Sequence, residues 1–178
     1  MKKISLRSGE ILIIRKATSE DAIKILEYAE KVSGESDNIS YGPGEFGITV
    51  EREQKYLQSL QGSKNSISIL GLIKKQIVSV ASMSGGKRKR IEHLTGLGIT
   101  VRKTFWRQGV GREMMNFLID WAQQSKIIRK IELTVRIDNI GAKELYKQLG
   151  FIEEGIISRK IQINEKFFDV QMMGLEID

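Results

Sequence analysis

At 178 residues and 40% hydrophobic content, the chain is long enough for one well-packed core, so we expect a single domain over residues 1–178. The chain has no cysteine, which excludes disulfides, thiolate metal sites and a cysteine nucleophile, and with one histidine and no clustered carboxylates we expect no metal. A net charge of +7 suits an anionic ligand, and no apolar run could span a membrane, so we expect a cytoplasmic protein without a membrane partner.

Strands and helices alternate along the chain around one irregular segment, residues 33–47, which holds four glycines and the only proline. In chain order we predict a strand at Ile11–Arg15, a helix from Thr18 or Ser19, a helix at Val50–Leu60, strands at Ser66–Leu72, Gln76–Ser84 and Arg90–Val101, a helix over Val110–Trp121, a strand at Lys130–Arg136, a short helix from Asp138, and strands at Phe151–Ile163 and Lys166–Ile177. This β-α-α-β-β-β-α-β-α-β-β order predicts an α/β (α+β) sandwich, with helices on both faces of a mixed sheet.

The most informative stretch is Gly98–Trp121, where a strand passes through a basic glycine turn directly into an amphipathic helix. Such a junction collects unpaired backbone N–H groups at the positive end of the helix dipole, which favours an anion and phosphate above all. Gly109 and Gly111 allow close approach of a ligand to the backbone, and Arg107 and Arg112 add positive charge. A glycine-softened helix start with solvated arginines is the alternative interpretation.

The turn resembles one known phosphate motif and not two others. A P-loop needs Lys-Ser/Thr after its last glycine, where Arg112-Glu113 stands, and a dinucleotide motif needs a third glycine in place of Met114. Residues 106–111 (WRQGVG) resemble the acyl-CoA pyrophosphate loop, Gln/Arg-x-x-Gly-x-Gly/Ala, of the GNAT superfamily of N-acetyltransferases. Trp106 stands where Gln or Arg is usual, and after Phe105 it resembles the branch that includes ribosomal-protein and antibiotic acetyltransferases.

A second stretch, Arg136–Phe151, matches the superfamily pattern Asn-x-x-Ala-x-x-x-Tyr-x-x-x-Gly-Phe without a gap. The resemblance implies that Asn139 contacts the pantetheine or phosphate arm of CoA and that the Tyr146 hydroxyl points at its sulfur. A tyrosine of pKa ~10 keeps its proton at neutral pH, so it could hydrogen-bond or protonate a departing thiolate of pKa ~8.5. The alternative is that Tyr146 is a core aromatic residue on an apolar stripe.

Together with the element order, the resemblance covers about Ile11 to Ile177 and implies a mostly antiparallel GNAT-like sheet, acetyl-CoA as co-substrate and no metal. The implied cofactor contacts are Ile99, Thr100, Val101, Arg107, Gln108, Gly109, Val110, Gly111, Arg112, Asn139, Ala142, Lys143 and Tyr146. For Lys143 a solvated helix face is the alternative. Backbone N–H groups at residues 99–101 could polarise the thioester carbonyl.

The acceptor amine must be neutral to attack, which requires a general base or a chain of waters. The resemblance implies a base at Thr95, which cannot act as one, so His93 on the same strand face becomes the candidate, with Glu92 behind it. A purely structural histidine is the alternative. The irregular segment occupies the position of the acceptor-site segment in GNAT enzymes, and the candidate acceptor contacts are Glu35, Tyr41, Phe46 and His93.

The resemblance therefore predicts an enzyme that transfers the acetyl group of acetyl-CoA to a primary amine by direct attack in a ternary complex. The alternative is a non-catalytic CoA-binding or RNA-associated module with the same fold. The basic cluster Lys87–Arg90 follows two glycines, as a solvated hairpin tip would, so we expect no nucleic-acid partner. The acceptor stays open among a small amine, an amino acid, an antibiotic and a protein N-terminus. The oligomeric state is also open, with a homodimer as one alternative.

Overall fold

The computed structural model describes residues 1–178, which form one eight-stranded sheet flanked by four α-helices. The elements are β1 Lys2–Ser5, β2 Ile11–Lys16, α1 Ala22–Ser33, α2 Val50–Ser59, β3 Ile67–Ile73, β4 Gln76–Gly85, β5 Leu94–Val101, α3 Val110–Ser125, β6 Lys130–Arg136, α4 Ile140–Gln148, β7 Ile152–Ile163 and β8 Lys166–Glu176. Short 3-10 turns at Ser19–Asp21 and Lys103–Phe105 precede α1 and α3. None of the helices combines the length and the apolar character needed to cross a membrane.

The sheet runs in the order β1-β2-β3-β4-β5-β6-β8-β7, and every neighbouring pair is antiparallel except β5 with β6. The predicted mixed, mostly antiparallel sheet is thereby confirmed. The parallel pair is short, since its register covers only Leu94 to Gly96 against Lys130 to Glu132. Beyond that point the two strands separate, and a gap opens in the middle of the sheet.

Two apolar layers hold helices on opposite faces of this sheet. The larger layer packs α3 and α4 on one face, with Met114, Met115 and Leu118 fully buried at helical spacing. The smaller layer packs α1 and α2 on the other face, around Tyr28 and Leu57. Because β5 and β6 are unpaired beyond Gly96 and Glu132, the gap between them connects one face of the sheet to the other.

The strand predicted at Arg90–Val101 is wrong in its first part, because β5 begins only at Leu94. Residues 86–93 form turns instead, and the side-chain amide of Asn65 holds them by donating to the carbonyls of Gly86 and Glu92, at 3.0 Å each. A Cβ on Gly86 would lie 2.2 Å from the carbonyl oxygen of Ile91, so only glycine allows this close approach. Contacts with Asn65, distant in sequence, override the local strand pattern.

The sequence analysis also missed β1, a four-residue edge strand paired with β2. Its residues are mostly exposed and polar, so no apolar alternation marks them. The hairpin is nevertheless relevant to the site, because its turn carries Leu6 and Arg7 towards the start of α3. The remaining predicted strands and helices agree with the structure to within a few residues.

An ion pair at the start of α1 predicts a pH dependence of stability. Arg15 donates two hydrogen bonds to the Asp21 carboxylate, at 2.7 and 2.6 Å, and the backbone N–H of Thr18 donates a third at 2.9 Å. These bonds, the Arg15 contact foremost, lower the pKa of Asp21. A carboxylate with a depressed folded-state pKa stabilises the fold above its ordinary pKa of about 3.9, and that contribution disappears as the pH falls through the folded value.

We therefore expect Asp21→Asn to lower the free energy of unfolding by about 1–3 kcal/mol at pH 7 and to flatten its decline below about pH 4. Urea unfolding between pH 3 and pH 7 measures both effects. The exposed Asp120, which forms no ion pair, supplies the matched control Asp120→Asn, for which both the stability and its acid decline should stay unchanged. If the free energy of unfolding of Asp21→Asn falls with pH as steeply as that of the wild type, Asp21 is not the group that causes the fall.

Candidate functional site

A cavity of about 1180 Å³ lies along the gap between β5 and β6. Its walls come from the second half of β5, the turn into α3, one side of α4, one side of α1 and the irregular segment. Of the predicted cofactor contacts, the cavity is lined by Ile99, Thr100, Val101, Arg107, Gln108, Gly109, Gly111, Arg112, Asn139, Ala142 and Tyr146. The fold thus brings residues of two distant motifs to one concave surface.

The edge of β5 that faces this cavity is open. Residues 97–101 pair with β4 on one side, through Ser79 to Met83, but have no partner on the side of β6. Backbone N–H and C=O groups on a free strand edge can pair with an extended chain that carries amides. The open edge therefore offers a row of hydrogen-bonding groups in the floor of the cavity.

The turn before α3 has the geometry of an anion site. Arg107 and Gly109 both adopt positive φ, at 61° and 92°, which turns the chain sharply into the helix. The first intrahelical bond runs from the N–H of Glu113 to the carbonyl of Gly109, and no side chain caps the helix start. The N–H groups of residues 110–112 are therefore unpaired at the positive end of a 16-residue helix. The Val110 side chain itself points into the core and is 1% exposed.

Two side chains of the turn fix its shape. The Trp106 indole N–H donates to the carbonyl of Val101 at 2.7 Å, and the Gln108 amide donates to the carbonyl of Thr104 at 2.8 Å. These bonds tie the end of β5 to the entry of α3. Trp106 therefore has a structural partner within the protein, although its side chain also borders the cavity.

Three arginines surround the anion site. Arg107 lies against α4, with its guanidinium 3.2 Å from where a Cβ on Gly141 would be. Arg112 donates to the side-chain oxygen of Gln148, which joins α3 to α4. Arg7 comes from the β1–β2 turn and also borders the cavity. The sequence analysis missed Arg7 because it did not predict the hairpin that carries it.

Helix α4 places Asn139 and Tyr146 on the cavity and Lys143 outside it. The Asn139 side chain caps the helix by accepting from the N–H of Ala142 at 3.3 Å. Lys143 pairs with Glu153 at 3.4 Å, and its contact with the cofactor stays a prediction.

Tyr146 is 9% exposed, and its ring packs 6.0 Å from that of Phe151. Its hydroxyl has no hydrogen-bond partner in the protein but is not sealed from the cavity. Burial alone raises the pKa of Tyr146 to about 12. The hydroxyl is therefore protonated at all physiological pH values and is free to donate a hydrogen bond into the cavity.

Neither predicted base lies at this site. His93 and Glu92 belong to the turn before β5, outside the cavity wall, and the carbonyl of His93 accepts from the N–H groups of Arg129 and Lys130. The shared strand face that pointed to His93 does not exist, because β5 starts one residue later. Glu92 forms a surface ion pair with Lys89 at 3.4 Å.

Only some of the candidate acceptor contacts lie at the cavity. Tyr41 and Phe46 border the cavity, with ring centroids 4.8 Å apart. Glu35 does not, because its carboxylate accepts from Arg102 at 2.6 Å and from the N–H of Lys103 at 2.7 Å. Glu35 therefore clamps the irregular segment to the end of β5, a role that sequence spacing does not reveal.

Two further cavity residues, Tyr28 and Arg136, lie on the α1 side of the sheet. The Tyr28 hydroxyl shares a 3.0 Å hydrogen bond with the hydroxyl of Thr100, and burial raises the pKa of Tyr28 well above its usual range. Arg136 donates to both carboxylate oxygens of Asp138, at 2.9 and 2.6 Å, and stacks 3.8 Å from the ring centre of Phe168. The sequence pattern assigned Tyr28 neither to the core nor to the site. It placed Arg136 only at the end of a strand.

The family to which this chain belongs follows from a comparison with known protein families. A sequence model described as the acetyltransferase (GNAT) family matches residues 39–151, which include β5, the turn into α3 and all of α4. The chain belongs to the GNAT family. The resemblance drawn from the two motifs is thereby confirmed, and the GNAT cavity described above contains both of them.

Curated relatives of this GNAT chain match parts of it. The L-amino acid N-acetyltransferase AaaT of Escherichia coli is 28% identical over 60% of this chain and 65% of its own length. The spermidine N(1)-acetyltransferase of Vibrio cholerae is 33% identical over 37% of this chain and 38% of its own length. The alignment thus spans less than two thirds of either curated relative.

Solved structures match nearly the whole GNAT chain. An acetyltransferase of the GNAT family from Streptococcus pneumoniae is 34% identical, with a TM-score of 0.90 over 94% of this chain and 99% of that one. The yncA protein of Salmonella typhimurium, solved with its cofactor acetyl-CoA, is 16% identical, with a TM-score of 0.80 over 94% of each chain. At that identity the second likeness concerns the fold alone.

Proposed function

We propose that this GNAT protein transfers the acetyl group of acetyl-CoA to a primary amine by direct attack in a ternary complex. The observation that carries the proposal is the unpartnered Tyr146 hydroxyl in the same cavity as an uncapped helix N-terminus. Family membership supports the cofactor, since the matched region spans both features. A module that only binds CoA would need no hydrogen-bond donor for a thiolate inside the cavity.

The chain offers matching groups along the length of acetyl-CoA. The free N–H groups of residues 110–112 face an anion, and Arg7, Arg107 and Arg112 border the same end of the cavity. We assign the pyrophosphate to this end because backbone donors and arginines together favour multiple negative charge. The open edge of β5 then suits the amide-bearing pantetheine arm, which would add to the sheet as a short strand.

In the reaction, the amine nitrogen forms a C–N bond with the acetyl carbon as the C–S bond to CoA breaks, and the surplus amine proton leaves to solvent. Tyr146 donates a hydrogen bond to the developing thiolate. Its pKa of about 12 lies about three units above that of a thiol, so Tyr146 stabilises the thiolate without giving up its proton. Solvent protonates the thiolate afterwards. Backbone N–H groups on the β5 edge can polarise the thioester carbonyl.

No side chain at the cavity is suited to remove the amine proton. The carboxylate nearest the α1 side is Asp138, and its pKa is lowered by two hydrogen bonds from Arg136, which makes it a weak base. The other lining carboxylates, Glu113 and Glu144, lie on α3 and α4 beside the anion site. We therefore assign proton removal to water, with the rate rising with pH as the neutral amine becomes more abundant.

Two measurements on the purified protein test the function together. Calorimetry measures the binding of acetyl-CoA, and free-thiol release measures turnover against a panel of amines, amino acids, aminoglycosides and N-terminal peptides. We expect acetyl-CoA binding and saturable thiol release with at least one acceptor. Desulfo-CoA, which keeps the pyrophosphate but lacks the thioester, should compete with acetyl-CoA. Failure to bind acetyl-CoA would overturn the proposal.

A further inference from the structure

The cavity has a second half, on the α1 side of the sheet, whose lining differs from that of the anion site. Its walls are α1, the irregular segment and the end of β6, because Thr100 and Arg136 point to this face while Leu97 and Val135 join the α3 layer. The gap between β5 and β6 connects the two halves. An acceptor that reaches the thioester from the side opposite the anion site would lie here.

Apolar and aromatic side chains dominate this half. Tyr28 and Val32 of α1, each 3% exposed, form one wall, and the rings of Tyr41 and Phe46, tilted by 51° to each other, form another. Burial raises the pKa of Tyr28 and of Tyr41, so both phenols remain neutral. An acceptor with an apolar side group would bury that group against these walls, as the hydrophobic effect favours.

The charges of this half exclude a polycation. Its only lining carboxylate, Asp138, is held by both oxygens to Arg136. Glu35, on the irregular segment, is occupied by Arg102 and by the N–H of Lys103. A second ammonium group, as in a polyamine or an aminoglycoside, would therefore find only a carboxylate that Arg136 already neutralises, so its burial is costly.

Arg136 is the only cation in this half, and it retains unused donors. Its guanidinium has five N–H groups, of which one on each nitrogen bonds to the protein: two to Asp138 and one to the carbonyl of Asp37. The two remaining N–H groups suit a carboxylate oxygen of an acceptor. At 8% exposure the side chain is held in place by these bonds and by Phe168.

The irregular segment closes this half to a long chain. It is fastened by Glu35 to the end of β5, by the Asp37 carbonyl to Arg136, and by the N–H of Gly44 to the Glu30 carboxylate at 3.1 Å. The segment is therefore fastened near both of its ends, and its residues between these points line the cavity. This favours an acceptor small enough to lie beneath it over an extended polypeptide.

We propose that the acceptor is an apolar α-amino acid, with its side chain on Tyr28, Tyr41 and Phe46 and its carboxylate on the free N–H groups of Arg136. This inference rests on the proposed acetyl transfer and specifies its acceptor class. The α-nitrogen then forms the C–N bond as the C–S bond breaks, with the proton movements described above. The relative named as an L-amino acid N-acetyltransferase is consistent with this class.

The test compares kcat/KM for six acceptors by free-thiol release. We expect L-phenylalanine to exceed glycine, spermidine, kanamycin and a tetrapeptide with N-terminal phenylalanine by at least about tenfold. Phenethylamine, which lacks the carboxylate, should also fall at least about tenfold below L-phenylalanine. A preference for spermidine, kanamycin or the tetrapeptide would overturn the acceptor class, and equal rates for phenethylamine and L-phenylalanine would overturn the Arg136 contact.

Variants separate this inference from the parent proposal. Phe46→Ala should lower kcat/KM for L-phenylalanine about tenfold, lower kcat/KM for glycine by less, and leave acetyl-CoA binding unchanged. Phe167→Ala is the matched control, because that ring is 51% exposed on β8 and outside the cavity. If acetyl-CoA binds but another amine class is preferred, only the acceptor class fails. If acetyl-CoA does not bind, both the proposed function and the acceptor class fail. If acetyl-CoA binds but none of these amines is acetylated, the acceptor class is overturned.

Discussion

Replacing Tyr146 by phenylalanine is expected to lower kcat by about 100-fold while leaving the affinity for acetyl-CoA unchanged. The phenol is placed to donate one hydrogen bond to a charge that develops only during the reaction, and loss of such a donor costs a factor of about 10² to 10³. The variant keeps the aromatic ring that packs against Phe151. Steady-state kinetics and acetyl-CoA calorimetry on the same preparations measure the two quantities.

The control for this variant is Tyr56→Phe, because Tyr56 lies on α2, outside the cavity. We expect both variants to melt at the wild-type temperature, since the Tyr146 hydroxyl has no partner within the protein to lose. With a pKa of about 12, Tyr146 also predicts no loss of wild-type kcat through its own ionisation up to about pH 10. A Tyr146→Phe variant with wild-type kcat would remove the hydroxyl from the mechanism.

Replacing Gly109 by valine is expected to weaken acetyl-CoA binding by at least about tenfold. Gly109 has a φ of 92°, immediately before the first residue of α3, and a β-branched residue adopts this conformation only at a cost of about 1–2 kcal/mol. The chain will relieve the strain by rotating the turn, and the N–H groups of residues 110–112 will then no longer converge on one anion. Calorimetry with acetyl-CoA measures the loss.

Gly62→Val provides a matched control for the strain itself. Gly62 lies between α2 and β3, outside the cavity, and has a φ of 75°. A Cβ added to Gly62 would have no other atom within 4 Å. We expect the two valine variants to lose similar melting temperature, while only the Gly109 variant loses acetyl-CoA affinity. Equal affinity in both variants would show that the turn into α3 does not bind the cofactor.

Most of the fold follows from local patterns. Alternation over β6 and helical spacing in α3 predicted those elements, because each must turn an apolar face to a core. The strands β3 and β4 were predicted as a hairpin across Lys74-Lys75. The turn from β5 into α3 was also predictable, since glycines and arginines there form one contiguous motif. Residues 90–93 were mistaken for strand because their conformation depends on hydrogen bonds from Asn65, which local spacing does not reveal.

By itself the sequence determined the element order, the family resemblance, the basic glycine turn and the tyrosine motif of α4, because these depend on residues close together along the chain. The tertiary structure alone decided which side chains meet at the cavity. It places His93 outside the cavity wall and pairs Glu35 with Arg102. It also places Arg7 and Tyr28 in the cavity wall, where Tyr28 bonds to Thr100. The physical reason is that β5 and β6 separate after three paired residues, and a gap in a sheet is a property of two strands that no single stretch of sequence encodes.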